Sequence, residues 1–267
     1  MPSLADIKHL IIDMDGVLYR GDQPMPRLRE FFAFLRERPI PFILATNNST
    51  RTSQEYVEKL ARMGVTVFPD EILVSGQATA RFLAREYPRG TRVHVFGMPA
   101  LKQAMTDGGF ILADEDVQLV VASMDRSVTY EKLKRATLLI RRGARFIATN
   151  LDPTNPSEEG LIPGTGAMIA ALAAASETKP TAIGKPEPTM YQLAMEQMGA
   201  RPDTTAALGD RVDTDILGGK RAGLATICVL SGSSDRAEAE AIGTDMIFDD
   251  IAHLLETWSH LASRSGQ

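Results

Sequence analysis

Two aspartates, Asp13 and Asp15, stand two residues apart directly after the apolar run Leu10-Ile11-Ile12. That run reads as a short buried parallel strand. The pair therefore falls where the chain must turn, on the C-terminal edge of a sheet, where open α/β folds bind ligands. Two carboxylates there need a positive partner, and a divalent metal held by oxygen ligands is the simplest one. Taken alone, the pair also fits a turn or a helix cap.

Three further polar clusters follow apolar runs in the same way. Thr46-Asn47-Asn48-Ser49 comes after Phe42-Ile43-Leu44. A hydroxyl with adjacent backbone N–H groups at such a turn can hold phosphate oxygens without adding net charge; a polar turn capping the next helix is the alternative. Gly184-Lys185-Pro186-Glu187-Pro188 comes after Thr181-Ala182-Ile183. Its two prolines stiffen the loop and project Lys185 from a fixed backbone. A lysine so placed neutralises an aspartate and a phosphate together, or simply lies on the surface at a helix entrance. Gly209-Asp210-Arg211-Val212-Asp213-Thr214-Asp215 comes after Ala206-Ala207-Leu208. Three carboxylates in six residues repel one another in an ordinary loop, and a hard cation relieves that conflict. Asp210, immediately after the strand, is best placed for metal. Asp213 reads as a helix N-cap, and Asp215 supports the site from one turn away.

The elements that must position these groups alternate between short β-rich runs and amphipathic stretches, the pattern of an α/β protein with a parallel sheet. Strands are predicted at His9 to Asp13, Phe42 to Ala45, Val93 to Phe96, Leu119 to Ala122, Arg145 to Ala148, Ala206 to Leu208, Thr226 to Leu230 and Met246 to Phe248. Helices are predicted from Ser53 to Met63, with Thr52 and Glu55 at capping-box spacing, and from Tyr130 to Arg141, ended by Gly143. Gly164-Thr165-Gly166 lacks the third glycine of a dinucleotide fingerprint, since Ile169 stands there, and reads as a helix start with close backbone approach.

Composition removes several classes of function. A net charge of −5 argues against nucleic acid and against a basic membrane face. No apolar stretch approaches the roughly 20 residues of a membrane span. The single cysteine, Cys228, rules out an intrachain disulfide framework and sits in an apolar run as a small hydrophobe. With no basic, apolar and small-residue succession at the N-terminus, the expectation is a cytoplasmic protein.

In type, order and strand-end context, the Asp-x-Asp pair, Thr46, Lys185 and the Gly-Asp acidic loop resemble the four signature motifs of the haloacid dehalogenase superfamily. More narrowly, the chain is similar to the subfamily of nucleotide, 4-nitrophenyl phosphate and pyridoxal or glycolate phosphate phosphatases. Gly-Val-Leu-Tyr-Arg-Gly at 16 to 21, Ala-Thr-Asn-Asn-Ser at 45 to 49 and Ala-Thr-Asn-Leu-Asp-Pro at 148 to 153 carry that likeness. The resemblance implies an α/β fold: a Rossmann-like, doubly wound parallel-sheet core with an inserted α/β cap domain. The interval from Thr46 to Lys185 is far too long for a loop. The cap is therefore expected at 80–179, and the catalytic core at 1–79 plus 180–267.

The same resemblance implies a magnesium-dependent phosphatase acting on a small phosphorylated metabolite. Asp13 is then the nucleophile and Asp15 the general acid and base. Mg2+ is held by Asp13, the Asp15 backbone carbonyl and Asp210, while Thr46, Asn47, Asn48 and Lys185 hold phosphate oxygens. Asp215 orients Lys185 or a metal-bound water. Asn150, Asp152 and Asn155 fall in the stretch that resembles the family's specificity loop, although each also fits as a turn-satisfying group. At Asn155 some relatives carry a histidine, and its absence weakens transfer of their substrates. The family resemblance further raises the expectation of a homodimer through the cap. Phosphomutases and phosphotransferases of the same superfamily share the Asp pair, but more often carry a smaller helical cap in the interval between Asp15 and Thr46, which here spans only about 30 residues. A phosphoaccepting signalling module is a remoter alternative, being shorter and uncapped.

Overall fold

A computed structural model describes residues 3–157 and 159–264. In chain order the strands begin with β1 (His9–Ile12), the short hairpin β2 (Tyr19–Arg20) and β3 (Gln23–Pro24), β4 (Phe42–Thr46) and β5 (Ile72–Val74). Then follow β6 (Arg92–Phe96), β7 (Ile111–Leu112), β8 (Leu119–Ala122), β9 (Arg145–Ala148), β10 (Thr154–Ser157), β11 (Gly160–Pro163) and β12 (Thr181–Ala182). The last three are β13 (Thr205–Gly209), β14 (Ala225–Val229) and β15 (Met246–Phe248).

The described residues fall into two compact units. One comprises Met1–Ala45, Ser53–Leu73 and Lys185–Gln267; the other comprises Thr46–Thr52 and Val74–Gly184.

In the first unit the sheet runs β15-β14-β13-β1-β4-β5, and the pairings from β15 through to β4 are all parallel. The chain leaves β1 toward β4 on one side and later returns on the other side as β13. The strand order therefore reverses at β1, and the crevice at such a reversal is where doubly wound sheets bind ligands. Leu10 and Ile12 are fully buried in β1, as is Leu44 in β4. A strand covered on both faces needs a continuous apolar run rather than alternation. Burying each such side chain contributes roughly 1.5–3 kcal/mol.

The second unit is built on a five-stranded sheet, β12-β9-β8-β6-β7, also parallel. Phe96, Val120, Ala122, Phe146 and Ala148 pack there against Leu139, Ile140, Ile169 and Leu172 from two helices, Tyr130–Arg141 and Thr165–Ser176. The first of these matches its sequence-predicted span, and its N-cap Thr129 accepts from the Lys132 N–H at 3.3 Å. The β10–β11 hairpin is antiparallel.

The second unit's main segment is Val74–Gly184, joined by Thr46–Thr52, whereas the sequence predicts a cap over 80–179. Two pairings set the difference. Gly76, in the helix Ser75–Glu86, lies against Leu101 and Ala104 of the same unit. At the other end β12 pairs with β9, which carries Thr181 and Ala182 into this sheet. Predicted strands and helices elsewhere differ from the observed ones by about a residue at their ends, as fraying termini do. No helix among the described residues is long and apolar enough to cross a membrane.

Candidate active site

Asp13 is the first residue after β1, and Asp210 the first after β13, the neighbouring parallel strand. Parallel register brings the two strand ends level, so the carboxylates share one edge of the sheet. Asp215 reaches the same point by a different route. The turn over Val212–Ile216 is wide: both the Asp215 and the Ile216 N–H donate to the Arg211 carbonyl, at 2.8 and 3.2 Å. That bulge turns the Asp215 side chain back, where its Oδ2 accepts from the Arg211 N–H at 3.1 Å. One oxygen from each of Asp13, Asp210 and Asp215 lies within 4.8 Å of the others.

Lys185 stands among them, only 3% exposed. Its Nζ donates to Asp13 Oδ1 at 2.5 Å, to Asp215 Oδ1 at 2.6 Å and to the Ala45 carbonyl at 3.0 Å. The three donors of an ammonium thus meet three acceptors. Burial works against its charge, but Asp13 and Asp215 outweigh burial and hold its pKa well above the ordinary lysine value. Burial also lifts the Asp13 carboxyl well above the usual range, against the pull of Lys185 and with Asp215 and Asp210 adding to the rise. Asp210 is pushed to about 6, first by burial and then by Asp215. Three carboxylates face one ammonium, so negative charge is in excess. Hard oxygen donors with uncompensated charge suit a divalent cation such as Mg2+. Asp13 and Asp210 are the residues that would hold it, since both Asp215 oxygens already accept hydrogen bonds.

Glycines make room for this cluster. A Cβ on Gly16, whose φ is +84°, would lie 2.5 Å from Asp210 Oδ2, and one on Gly232 would come closer still. Asp210 is fixed by the Ser233 N–H at 2.7 Å, and Ser231 Oγ donates to the Gly16 carbonyl at 2.7 Å. Asp15 is exposed at the turn after β1.

Sequence reasoning missed Tyr191. Its hydroxyl, buried in the helix Pro188–Met198, donates to the Asp215 carbonyl at 2.9 Å. The available signal was a tyrosine in the first turn of the helix that follows the Lys185 loop, on an otherwise apolar face. Asp213 does not cap a helix as the sequence suggested. It lies within the wide turn, and its carboxylate pairs with the Arg211 guanidinium at 2.9 Å.

Thr46 ends β4, the strand on the other side of β1. Its Oγ1 accepts from the Asn48 N–H at 3.2 Å, which leaves the hydroxyl proton to point elsewhere. Asn48 is exposed, and its side-chain oxygen closes the turn on Thr50. Asn47 is buried, and its Nδ2 donates to both Asp152 oxygens at 3.2 and 3.0 Å. Asn150, 2% exposed, donates from Nδ2 to the Asn47 carbonyl at 2.7 Å. Asn155 lies on β10, where its amide approaches Met124 Sδ at 3.9 Å. Cys228 is fully buried in β14.

Comparison with known proteins identifies the family. A model of haloacid dehalogenase-like hydrolases matches residues 10–111, and a second, HAD-hydrolase-like model matches 182–254. The acid sugar phosphatase of Staphylococcus saprophyticus is 38% identical over 256 residues, which cover 95% of this chain and 98% of the relative. The structure of a 4-nitrophenylphosphatase from Thermotoga maritima superposes with a TM-score of 0.90 at 37% identity, covering 95% of this chain and 98% of its own. A glycerol phosphate phosphatase from Mycobacterium tuberculosis, solved in complex with magnesium, gives a TM-score of 0.87 at 32% identity, covering 95% and 78%. Likeness of this extent makes the chain a member of the haloacid dehalogenase-like hydrolases.

Proposed function

We propose that the protein is a magnesium-dependent phosphatase that hydrolyses small phosphomonoesters, sugar phosphates among them, through a phosphorylated Asp13. The observation that carries this reading is the Lys185 ammonium held between Asp13 and Asp215, with Asp210 beside them. Such a cluster keeps a nucleophilic carboxylate oriented and places positive charge where a phosphoryl group arrives. The Staphylococcus saprophyticus relative, named an acid sugar phosphatase, supports the substrate class. The neighbour solved with magnesium supports the metal.

In this mechanism an Asp13 oxygen attacks phosphorus as the bond to the leaving oxygen breaks, giving an aspartyl-phosphate. Asp15, exposed at the turn, delivers a proton to the departing alkoxide. It then takes a proton from the water that attacks the aspartyl-phosphate, so that inorganic phosphate leaves and Asp13 is regenerated. Lys185, the Thr46 hydroxyl and the Asn47 backbone hold the phosphoryl oxygens, which is most of what the protein supplies in phosphoryl transfer. Asp13, Asp210 and the Asp15 backbone carbonyl would hold magnesium, which would supply positive charge to offset that on those oxygens.

Phosphate release from 4-nitrophenyl phosphate and from a panel of sugar phosphates tests the reading. Wild type should turn over with magnesium and stop with chelator, and folded Asp13→Asn should fall to background. Wild-type turnover by Asp13→Asn would sink the mechanism. Asp15→Asn should accumulate acid-stable phosphoprotein during turnover; full turnover in that variant would remove Asp15 from its role.

A further inference from the structure

The loop Asn150-Leu151-Asp152 resembles a specificity loop in sequence, yet the Asn150 amide and the Asp152 carboxylate are both engaged within the second unit on Asn47. The Asn47 carbonyl accepts from Asn150 Nδ2 at 2.7 Å and from Ser75 Oγ at 2.6 Å. The Asn47 side chain gives its amide to both oxygens of Asp152. Asn47 is thus gripped on its backbone and on its side chain, and Asn47, Asn150 and Ser75 are all buried. Ser49 is tied in turn to Ser123, which also accepts from Thr149 Oγ1 at 2.8 Å.

The gripping loop has a rigid support of its own. The Gly164 and Gly166 N–H groups, at the start of the helix Thr165–Ser176, donate to the Pro153 and Asp152 carbonyls at 2.9 and 2.8 Å. A Cβ on Gly166 would lie 2.3 Å from the Leu151 carbonyl oxygen, and one on Gly164 would lie 2.4 Å from that of Asp152. Only glycine permits that approach. Gly184 backs the other side, where a Cβ would meet Asn47 Oδ1 and the Thr149 carbonyl, each at 2.5 Å.

We infer that Asp152, Asn150 and Ser75 are positioning residues that hold the Thr46–Asn47 turn in its anion-binding shape, and that Asp152 and Asn150 do not select the leaving group. The inference rests on the phosphatase reading, in which that turn holds phosphoryl oxygens. A turn held in advance avoids reorganisation when the anion arrives, so its effect falls on the phosphate common to all substrates. A leaving-group contact acts on each substrate differently.

Inorganic phosphate, which has no leaving group, separates the two roles. Its dissociation constant is measured by calorimetry on the magnesium-loaded protein, beside KM and kcat for 4-nitrophenyl phosphate and a sugar phosphate. Asp152→Ala should weaken phosphate binding by about tenfold, the loss typical of a disrupted charged hydrogen bond. It should raise both KM values by that same factor. Asp152→Asn keeps an acceptor for the Asn47 amide and should restore most of the affinity. Asn47→Ala should match Asp152→Ala, and the double variant should lose no more than either single one. Unchanged phosphate affinity in folded Asp152→Ala overturns the inference, whatever happens to KM. If Asp152→Ala does not fold, Asn47→Ala carries the same test, with the same two outcomes. A wild type that neither hydrolyses esters nor binds phosphate defeats the phosphatase reading instead, so the two failures are distinguishable.

Discussion

Lys185 Nζ lies 2.5 Å from Asp13 Oδ1 and 2.6 Å from Asp215 Oδ1 in a buried site. A lysine taken out of water survives as a cation only where carboxylates surround it, and Asp13 and Asp215 do so here. In the proposed mechanism the pair serves two ends: it neutralises buried charge in the folded chain and presets Asp13 for attack.

Removing the lysine exposes both roles. Lys185→Met leaves the buried Asp215 and the partly buried Asp13 without their cation, and breaking a buried pair on one side typically costs about 3–5 kcal/mol. We expect a loss of that size in urea denaturation, and a fall in kcat of roughly 10²–10³. Adding Asp215→Asn should recover part of the stability and none of the activity. Full stability in Lys185→Met would mean that the ion pairs contribute little.

Asp210 should govern the metal. Its carboxylate accepts from the Ser233 N–H, and its carboxyl is raised to about 6 by burial and by Asp215. In Asp210→Asn the magnesium concentration for half-maximal turnover should rise at least about tenfold, since one charged ligand of a hard cation is lost. An unchanged magnesium titration would take Asp210 out of the ligand set.

The second unit carries a pH-sensitive residue far simpler than the active site. His94 on β6 is buried, and burial lowers its pKa below 6.5 despite the Asp114 carboxylate 3.0 Å from Nδ1. A folded-state pKa below the unfolded one means that the unfolded chain binds the proton more tightly. The stability from His94 is therefore complete above the ordinary histidine pKa and declines as pH falls through and below about 6.5. Thermal unfolding at pH 8 and pH 5.5 should show a smaller drop in Tm for His94→Gln than for wild type. An equal drop in the two proteins would assign the pH dependence elsewhere.

Cys228 should be chemically silent. It is fully buried, and burial, aided by Asp210 and Asp215, pushes its thiol to about 12. Thiolate is the reactive form, so a disulfide reagent at pH 8 should label the native protein negligibly and the urea-unfolded protein stoichiometrically. Fast native labelling would contradict the packing of β14.

Much of this was legible in the residues alone. Leu10 to Ile12 and Ala206 to Leu208 declare buried parallel strands because a strand covered on both faces has no polar side to show. Asp13, Asp210 and Thr46 stand out because each closes or follows an apolar strand of one parallel sheet, and parallel strands deliver their C-terminal ends to a common edge. Lys185 follows β12, a strand of the other sheet, so its place beside Asp13 comes from the tertiary structure. What the sequence could not fix were relations set by packing at a distance. Asp215 turns back to Lys185 only because the chain widens over Val212–Ile216. Asp213, with the same side chain two residues earlier, faces Arg211 and solvent instead. Asn150 and Asp152 read from sequence as either substrate groups or turn-satisfying ones, and tertiary structure gives them Asn47 as a partner more than 100 residues away in sequence. Local patterns determine elements and the ends of strands, because their periods and turns are properties of short segments. Which buried polar group finds which partner is decided only when the whole chain has excluded water and every donor must be satisfied.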